Sequence, residues 1–294
     1  MKFIDRIPIK YYPLILFSYF CGMLTYHLFM QIKCSPPVTI SNCNDLYAQT
    51  TDELSNYHPD IKNRKIKLYK DKEIIVDDIL YGYDVLFEKT QRFALSKWLG
   101  VQCQQDPSDA FLIQMLLWQI KPDLIIDLGT NNGGSALFCA SIMNYYNQKG
   151  KIVTVDVKNY TENWINFCTD CSNPAESPLW KKYVTFYQGY TTDPNIVEKV
   201  EKYVNQSKVV FVIQDASHAG VDVYQDLVAY SKFVSVGSYI IAQDTKLDRI
   251  NRGRDITSNI EKFINENNNF IINREVETQF YYTQHAKGYL KRIK

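Results

Sequence analysis

The chain has 294 residues, enough for one large α/β domain with appendages, and its 33 Lys plus Arg against 32 Asp plus Glu leave a net charge of +1. That balance supplies no global field for nucleic acid, so nucleic acid is not an expected partner. The 22 tyrosines are dispersed, and no internal repeat stands out.

Residues 11–32, between Lys10 and Lys33, contain no Asp, Glu, Lys or Arg. As a helix rising about 1.5 Å per residue they span roughly 33 Å, enough for a bilayer core. Tyr11, Tyr12 and Tyr26 suit the interfaces, while Thr25, His27 and Gln31 make the span a modest one. A cleaved signal peptide is the competing reading, but its apolar core would be shorter and no small-x-small cleavage site follows cleanly. Lys2, Arg6 and Lys10 precede the span, whereas Lys33 alone follows it closely. The positive-inside rule makes 1–10 a cytosolic tail and 11–32 a transmembrane signal anchor in contact with the lipid bilayer. The expectation is a single-pass type II membrane protein, lumenal in Golgi or ER if eukaryotic.

Residues 33–76 lack periodicity and read as a stem, with the folded domain over 77–294. The sequons Asn159-Tyr160-Thr161 and Asn205-Gln206-Ser207 agree weakly with a lumenal location; Asn205 is the better acceptor, because Asn159 follows an expected ligand-binding strand end. Of seven cysteines, Cys21 lies in the span and Cys139 on an expected core helix. In an oxidising lumen Cys34 with Cys43, or Cys168 with Cys171, are short-loop disulfide candidates. A single C-x-x-C without a second pair does not complete a zinc site.

Asp106-Pro107-Ser108-Asp109 reads as a turn with a helix N-cap, and the apolar stretch 110–120 as a helix. It leads to the stretch around which the chain is organised, residues 122–135. Leu124, Ile125 and Ile126 form a short apolar run, read as a buried parallel strand. Asp127 sits at its end, followed by Gly129, Thr130, Asn131, Gly133, Gly134 and Ser135, and Ser135–Tyr146 reads as a helix. Strand, glycine turn and helix make a nucleotide-type site, where backbone approaches a ligand closely. The spacing is D-x-G-x-x-x-G-G-S and not G-x-G-x-x-G; an acid before the first glycine suits a cationic or hydroxyl-rich ligand better than a pyrophosphate. The loop resembles the S-adenosylmethionine (SAM) loop of class I methyltransferases.

The next strand is Ile152–Val155, ending in Asp156, which is placed to accept hydrogen bonds from ribose hydroxyls. Further strands follow at Tyr183–Tyr187, Val209–Ile213 and Ser238–Ala242, with helices ending near Val204 and over 222–233 and Ile256–Asn265. Phe270–Ile272 and Gln279–Thr283 are candidates for the last strands, before a basic tail Lys287–Lys294. This alternation argues for an α/β fold with an open, doubly wound, mostly parallel sheet, with ligands at the strands' C-terminal ends. Asp127, Asp156, Asp215, His218, Gln243 and Asp244 all fall there.

D-L-G-T-N-N-G-G-S at 127–135, D-A-S-H at 215–218, V-x-x-G-S-Y-I-I-A-Q-D-T at 234–245 and K-G-Y-L-K-R at 287–292 together resemble the cephalosporin hydroxylase/rhamnosyl O-methyltransferase family. The resemblance covers residues 95–292 and implies a seven-stranded sheet of the class I methyltransferase type. It also implies a SAM cofactor and a Mg²⁺ (or Mn²⁺) held by Asp215 with positions 243 and 244, and His218 as general base. Gln243 stands where a Glu is usual, which removes one negative charge from the metal set.

A sugar hydroxyl is a poor nucleophile while protonated; a hard cation acidifies it, and a histidine takes its proton near neutral pH. The resemblance, with the secretory-type anchor, implies SAM-dependent O-methylation of a sugar hydroxyl on a glycan, with Asp215 and His218 catalytic. The competing reading is an inactive SAM- or glycan-binding module. A 2-His-1-carboxylate iron site would need an H-x-D, and His58-Pro59-Asp60 fits by letter only, in the stem. The acceptor's identity and the oligomeric state are not legible.

Overall fold

The computed structural model describes residues 65–67, 73–161, 168, 170–250 and 253–294, all within a compact unit spanning His58–Lys294. The expected cytosolic tail, span 11–32, Cys21, Cys34, Cys43 and His58 lie outside these residues. Among the described residues no helix is long and apolar enough to cross a membrane.

The chain enters through a short antiparallel pair, β1 (Lys65–Lys67) with β2 (Glu73–Ile75), and helix α1 (Val76–Lys89). The described residues therefore include part of the stretch 33–76 expected to be a stem. A second pair, β3 (Lys97–Trp98) with β4 (Val101–Gln102), precedes α2 (Pro107–Ile120). Asp106 caps α2 as expected: its carboxylate accepts from the Ser108 N–H at 2.8 Å, with Pro107 at the first helical position.

Then come β5 (Leu124–Leu128), α3 (Gly134–Tyr146), β6 (Lys151–Asp156), α4 (Pro178–Tyr183), β7 (Val184–Gln188), α5 (Pro194–Val204), β8 (Val210–Gln214) and α6 (Gly220–Ser231). The chain finishes with β9 (Tyr239–Ala242), α7 (Lys246–Arg249), α8 (Ile256–Glu266), β10 (Phe270–Ile272), α9 (Arg274–Thr278) and β11 (Tyr289–Arg292). Strands β5 to β11 form one seven-stranded sheet in the order β10-β11-β9-β8-β5-β6-β7, in which β11 alone runs against its neighbours.

Strand alternation divides the core into two layers. Ile125, Phe211, Ile213, Tyr239 and Ile241 face the layer built with α2, α3 and α4. Leu124, Ile126, Leu128, Val212, Ile240 and Leu290 face the layer with α5, α6 and α8. After β5 the chain moves outward through β6 and β7, then returns to lay β8 against the other side of β5. That reversal opens a crevice above the C-terminal ends of β5 and β8, the position where open α/β sheets bind ligands.

Two expectations near the C-terminus are corrected. Residues 279–283 are not a strand; they form a turn and irregular backbone after α9. The stretch Lys287–Lys294 is not a tail, because its residues 289–292 form β11, inserted between β9 and β10 with Tyr289 and Leu290 fully buried. Its charges are accommodated at the strand's end: the Arg292 guanidinium donates to the Lys232 and Val234 carbonyls at 3.1 and 2.5 Å, just past the C-terminus of α6. Cys168 and Cys171 are disulfide-bonded, while Cys103 and Cys139 are free and buried.

Candidate functional site

The glycine loop is shaped by three left-handed residues in five: Gly129 (φ 105°), Asn131 (φ 46°) and Gly133 (φ 85°). Glycine is required here for chain-on-chain approach rather than for ligand approach. A Cβ on Gly129 would lie 2.1 Å from the Asp215 carbonyl oxygen, and one on Gly134 would lie 2.0 Å from that of Gln102. A Cβ on Gly133 would meet the Trp180 ring at 2.8 Å, and Gly133 does not reach the cavity described below.

Asp127, expected to contact the cofactor, points inward. Its carboxylate is fully buried and accepts from Thr154 Oγ1 at 2.7 Å and Ser135 Oγ at 3.1 Å. Thr154 Oγ1 in turn lies 2.7 Å from Thr130 Oγ1. Parity explains the direction: Asp127 faces the same side of β5 as Ile125, where α3 covers the sheet. Burial pushes its pKa up to about 6, against the lowering effect of the two hydroxyl donors. Asp127 therefore fastens the loop instead of lining the site.

A cavity of about 480 Å³ opens above β5 and β8. Gly129, Thr130, Asn131, Gly134, Ser135 and Asp156 line one side, and Asp215, His218 and Asp244 line another. Asp156 accepts the backbone N–H groups of Asn131 at 2.8 Å and Lys158 at 2.9 Å, so it fixes the loop while facing the cavity. It also borders a second cavity of about 370 Å³, walled by Val157, Gly189, Tyr190, Asp222 and Asp226.

Asp215, at the C-terminal end of β8, His218 and Asp244, beyond β9, each direct one ligand-type atom into a common space, all within 4.8 Å of one another. His218 Nε2 is 3.5 Å from Asp244 Oδ2. The two carboxylates titrate apart. Burial and the neighbouring Asp244 push the Asp215 carboxyl well above the usual range. Burial opposes ionisation of Asp244 too, but Lys246, His218 and His285 outweigh it and hold its carboxyl low. The two carboxylates of this set suit a divalent ion, with the imidazole beside it. Gln243, expected as a third ligand, is 3% exposed and absent from the cavity wall.

Several residues of this site were not legible in the sequence. Lys246 is buried, with Nζ 3.3 Å from Asp244 Oδ1, 2.9 Å from Glu88 Oε1 and 2.5 Å from Gln284 Oε1. Glu88 brings the end of α1 to the cavity, beside Gln91 and Phe93. Gln102, on β4, accepts from Asn132 of the glycine loop and donates to the Ala94 carbonyl at 2.6 Å. The Asn132 Oδ1 is buried without a protein partner, and the residue lines the cavity. Asn132 sits within the recognisable loop; for Glu88, Gln102 and Lys246 no local sequence signal existed.

Comparison with known proteins places this geometry. A family model described as rhamnosyl O-methyltransferase/CmcI matches residues 91–293. A rhamnosyl O-methyltransferase of Mycobacterium leprae is 27% identical over 152 residues, 51% of this chain and 61% of that protein. One of Mycobacterium tuberculosis (strain H37Rv) is 28% identical over 154 residues, 51% of this chain and 57% of that protein. The chain thus spans about three fifths of the length of these curated relatives. Among solved structures, apo CmcI-N160 superposes with a TM-score of 0.51 at 18% identity, covering 68% of this chain and 77% of that one. CmcI-D160 with Mg and SAM gives 0.51 at 17% identity, covering 68% and 78%. These two likenesses establish a fold of the class I methyltransferase type. With the family pattern matched across the sheet, the glycine loop and both strand-end clusters, the chain belongs to the rhamnosyl O-methyltransferase/CmcI family.

Proposed function

We propose that this chain is a SAM-dependent O-methyltransferase acting on a sugar hydroxyl. The observation that carries the reading is the meeting, in one cavity, of the glycine loop and Asp156 with Asp215, His218 and Asp244. The name of the mycobacterial relatives, rhamnosyl O-methyltransferase, supports the sugar acceptor.

In this reading Asp156 accepts hydrogen bonds from the ribose, and the adjoining cavity bordered by Val157 and Tyr190 takes the base. The acceptor oxygen forms a bond to the sulfonium methyl carbon in line with the breaking C–S bond, and the sulfur leaves with the electron pair as a neutral thioether. His218 takes the hydroxyl proton, and the imidazolium so formed lies 3.5 Å from Asp244 Oδ2, which stabilises it. Asp215 and Asp244 would hold a divalent ion, which when bound acidifies the acceptor hydroxyl. With Gln243 off the wall, two carboxylates carry that site, so affinity for Mg²⁺ is weak.

The test incubates purified protein with labelled SAM and a panel of glycans, with and without Mg²⁺ or Mn²⁺, and measures SAM binding by calorimetry alongside. Transfer to one panel member supports the reading. SAM binding without transfer favours the second reading, an inactive SAM- or glycan-binding module, which the replacement at Gln243 motivates. Absence of SAM binding removes both.

A further inference from the structure

We infer that His285 is a positioning residue for the proposed metal site, through the backbone of Asp244. Asp244 adopts a left-handed conformation with φ 61°, which a residue with a Cβ keeps only where its surroundings hold it. Its N–H donates to His285 Nδ1 at 2.9 Å. His285 is 1% exposed and held in turn: its own N–H donates to Thr283 Oγ1 at 2.9 Å, and its Nε2 lies 2.9 Å from the Gln105 amide and 3.7 Å from Asp109 Oδ2.

These contacts define the tautomer. Because Nδ1 accepts, the neutral ring carries its proton on Nε2; the Gln105 amide nitrogen stands 2.9 Å from Nε2, and rotating that amide by half a turn brings its oxygen to the proton. Asp109 anchors the same segment by accepting from the Gln284 N–H at 2.8 Å and the Tyr289 hydroxyl at 2.8 Å. Gln284 closes the turn from the other side, its carbonyl accepting the Lys246 N–H at 2.9 Å and its side chain the Lys246 ammonium. Asp244 therefore enters the cavity from a backbone that residues 284–285 hold in place. Without the imidazole, the N–H loses its acceptor and the carboxylate loses the orientation that brings it to Asp215 and His218.

The inference rests on the divalent-ion reading above, and its test separates the two. Mn²⁺ binding is followed by electron paramagnetic resonance and Mg²⁺ binding by calorimetry, with SAM affinity measured in chelator as the control. His285→Leu removes the acceptor and should weaken Mn²⁺ at least tenfold, within the 10–100-fold span typical of residues that orient metal ligands. Its SAM affinity should stay within about twofold of wild type, because the glycine loop and Asp156 are untouched. His285→Asn places an amide oxygen where Nδ1 lies and should recover Mn²⁺ affinity to within about threefold. His285→Gln places its amide where Nε2 lies and should not recover it. If the Leu variant fails to fold, the Asn and Gln variants decide between them. Equal Mn²⁺ affinity in Asn and Gln variants that bind SAM normally overturns the role of His285. A wild-type protein that binds SAM but neither ion overturns the metal reading, and this role with it.

Discussion

At the scale of single residues, Asp127 and His218 make opposite predictions. Burial raises the folded pKa of Asp127 to about 6 from an ordinary 3.8, so the folded protein prefers it protonated. Its contribution is fully present below about pH 4 and is lost as the pH rises through 6. Asp127→Asn keeps an oxygen for Thr154 Oγ1 and removes the titration. Denaturant midpoints should then fall less between pH 4 and pH 7 than in wild type, leaving the variant more stable at neutral pH by up to about 3 kcal/mol. Parallel pH profiles for the two proteins would contradict this. His218 faces the cavity, half-buried, and its loss should spare the fold. His218→Ala should cut turnover about 10²–10⁴-fold while SAM affinity stays nearly unchanged, and full activity would remove it as the base. Asp156→Ala should weaken SAM by about 1.5–3 kcal/mol in calorimetry, the cost of charge-assisted hydrogen bonds; unchanged affinity would take Asp156 out of the ribose site.

At the scale of elements, the glycines sort by what surrounds them. Gly134 opens α3 against the β4 segment, and an added Cβ would lie 2.0 Å from a backbone oxygen and 2.5 Å from the Cys103 Cα. Neither atom belongs to a side chain that can swing away. Gly134→Ala should therefore cost at least about 1–3 kcal/mol and displace Gln102 from the glycine loop, seen as lost SAM affinity. Gly82, in the middle of α1, has nothing within 4 Å of a Cβ. Gly82→Ala should add about 0.5–1 kcal/mol through helix propensity. Thermal melts of both variants test the pair, and a destabilised Gly82→Ala would show that α1 is covered at that point. α1 also matters to the site, because Glu88 near its end pairs with Lys246 in the cavity.

At the scale of the whole molecule, we propose that residues 11–32 anchor the protein with the domain on the lumenal side. Asn205 lies exposed just past α5, open to glycosylation in that orientation. A glycosidase-sensitive mass shift, absent in Asn205→Gln, is the expected outcome in a eukaryotic host. Digestion of the domain by protease added outside sealed vesicles would reverse the orientation. Lumenal methyl transfer would also require SAM to be delivered into that compartment.

What the sequence determined by itself was what neighbouring residues encode. The apolar runs, the glycine turn after Leu128 and the Asp106 cap carried the alternation of strands and helices, because period and turn chemistry are local. The strand-end residues Asp156, Asp215, His218 and Asp244 followed from that alternation, since a parallel sheet brings its C-terminal ends together. The tertiary structure alone decided where side chains with two plausible neighbourhoods point. Asp127 turned into the core because α3 supplied Ser135, and Gln243 stayed off the wall that its neighbour Asp244 joins. Lys287–Lys294 looks like a solvated tail until β9 and β10 flank it, because the charges of Lys291 and Arg292 hide a strand whose buried part is two residues long. Glu88, Lys246 and His285 read as ordinary polar residues in the chain; only their long-range partners make it favourable to bury them near the site.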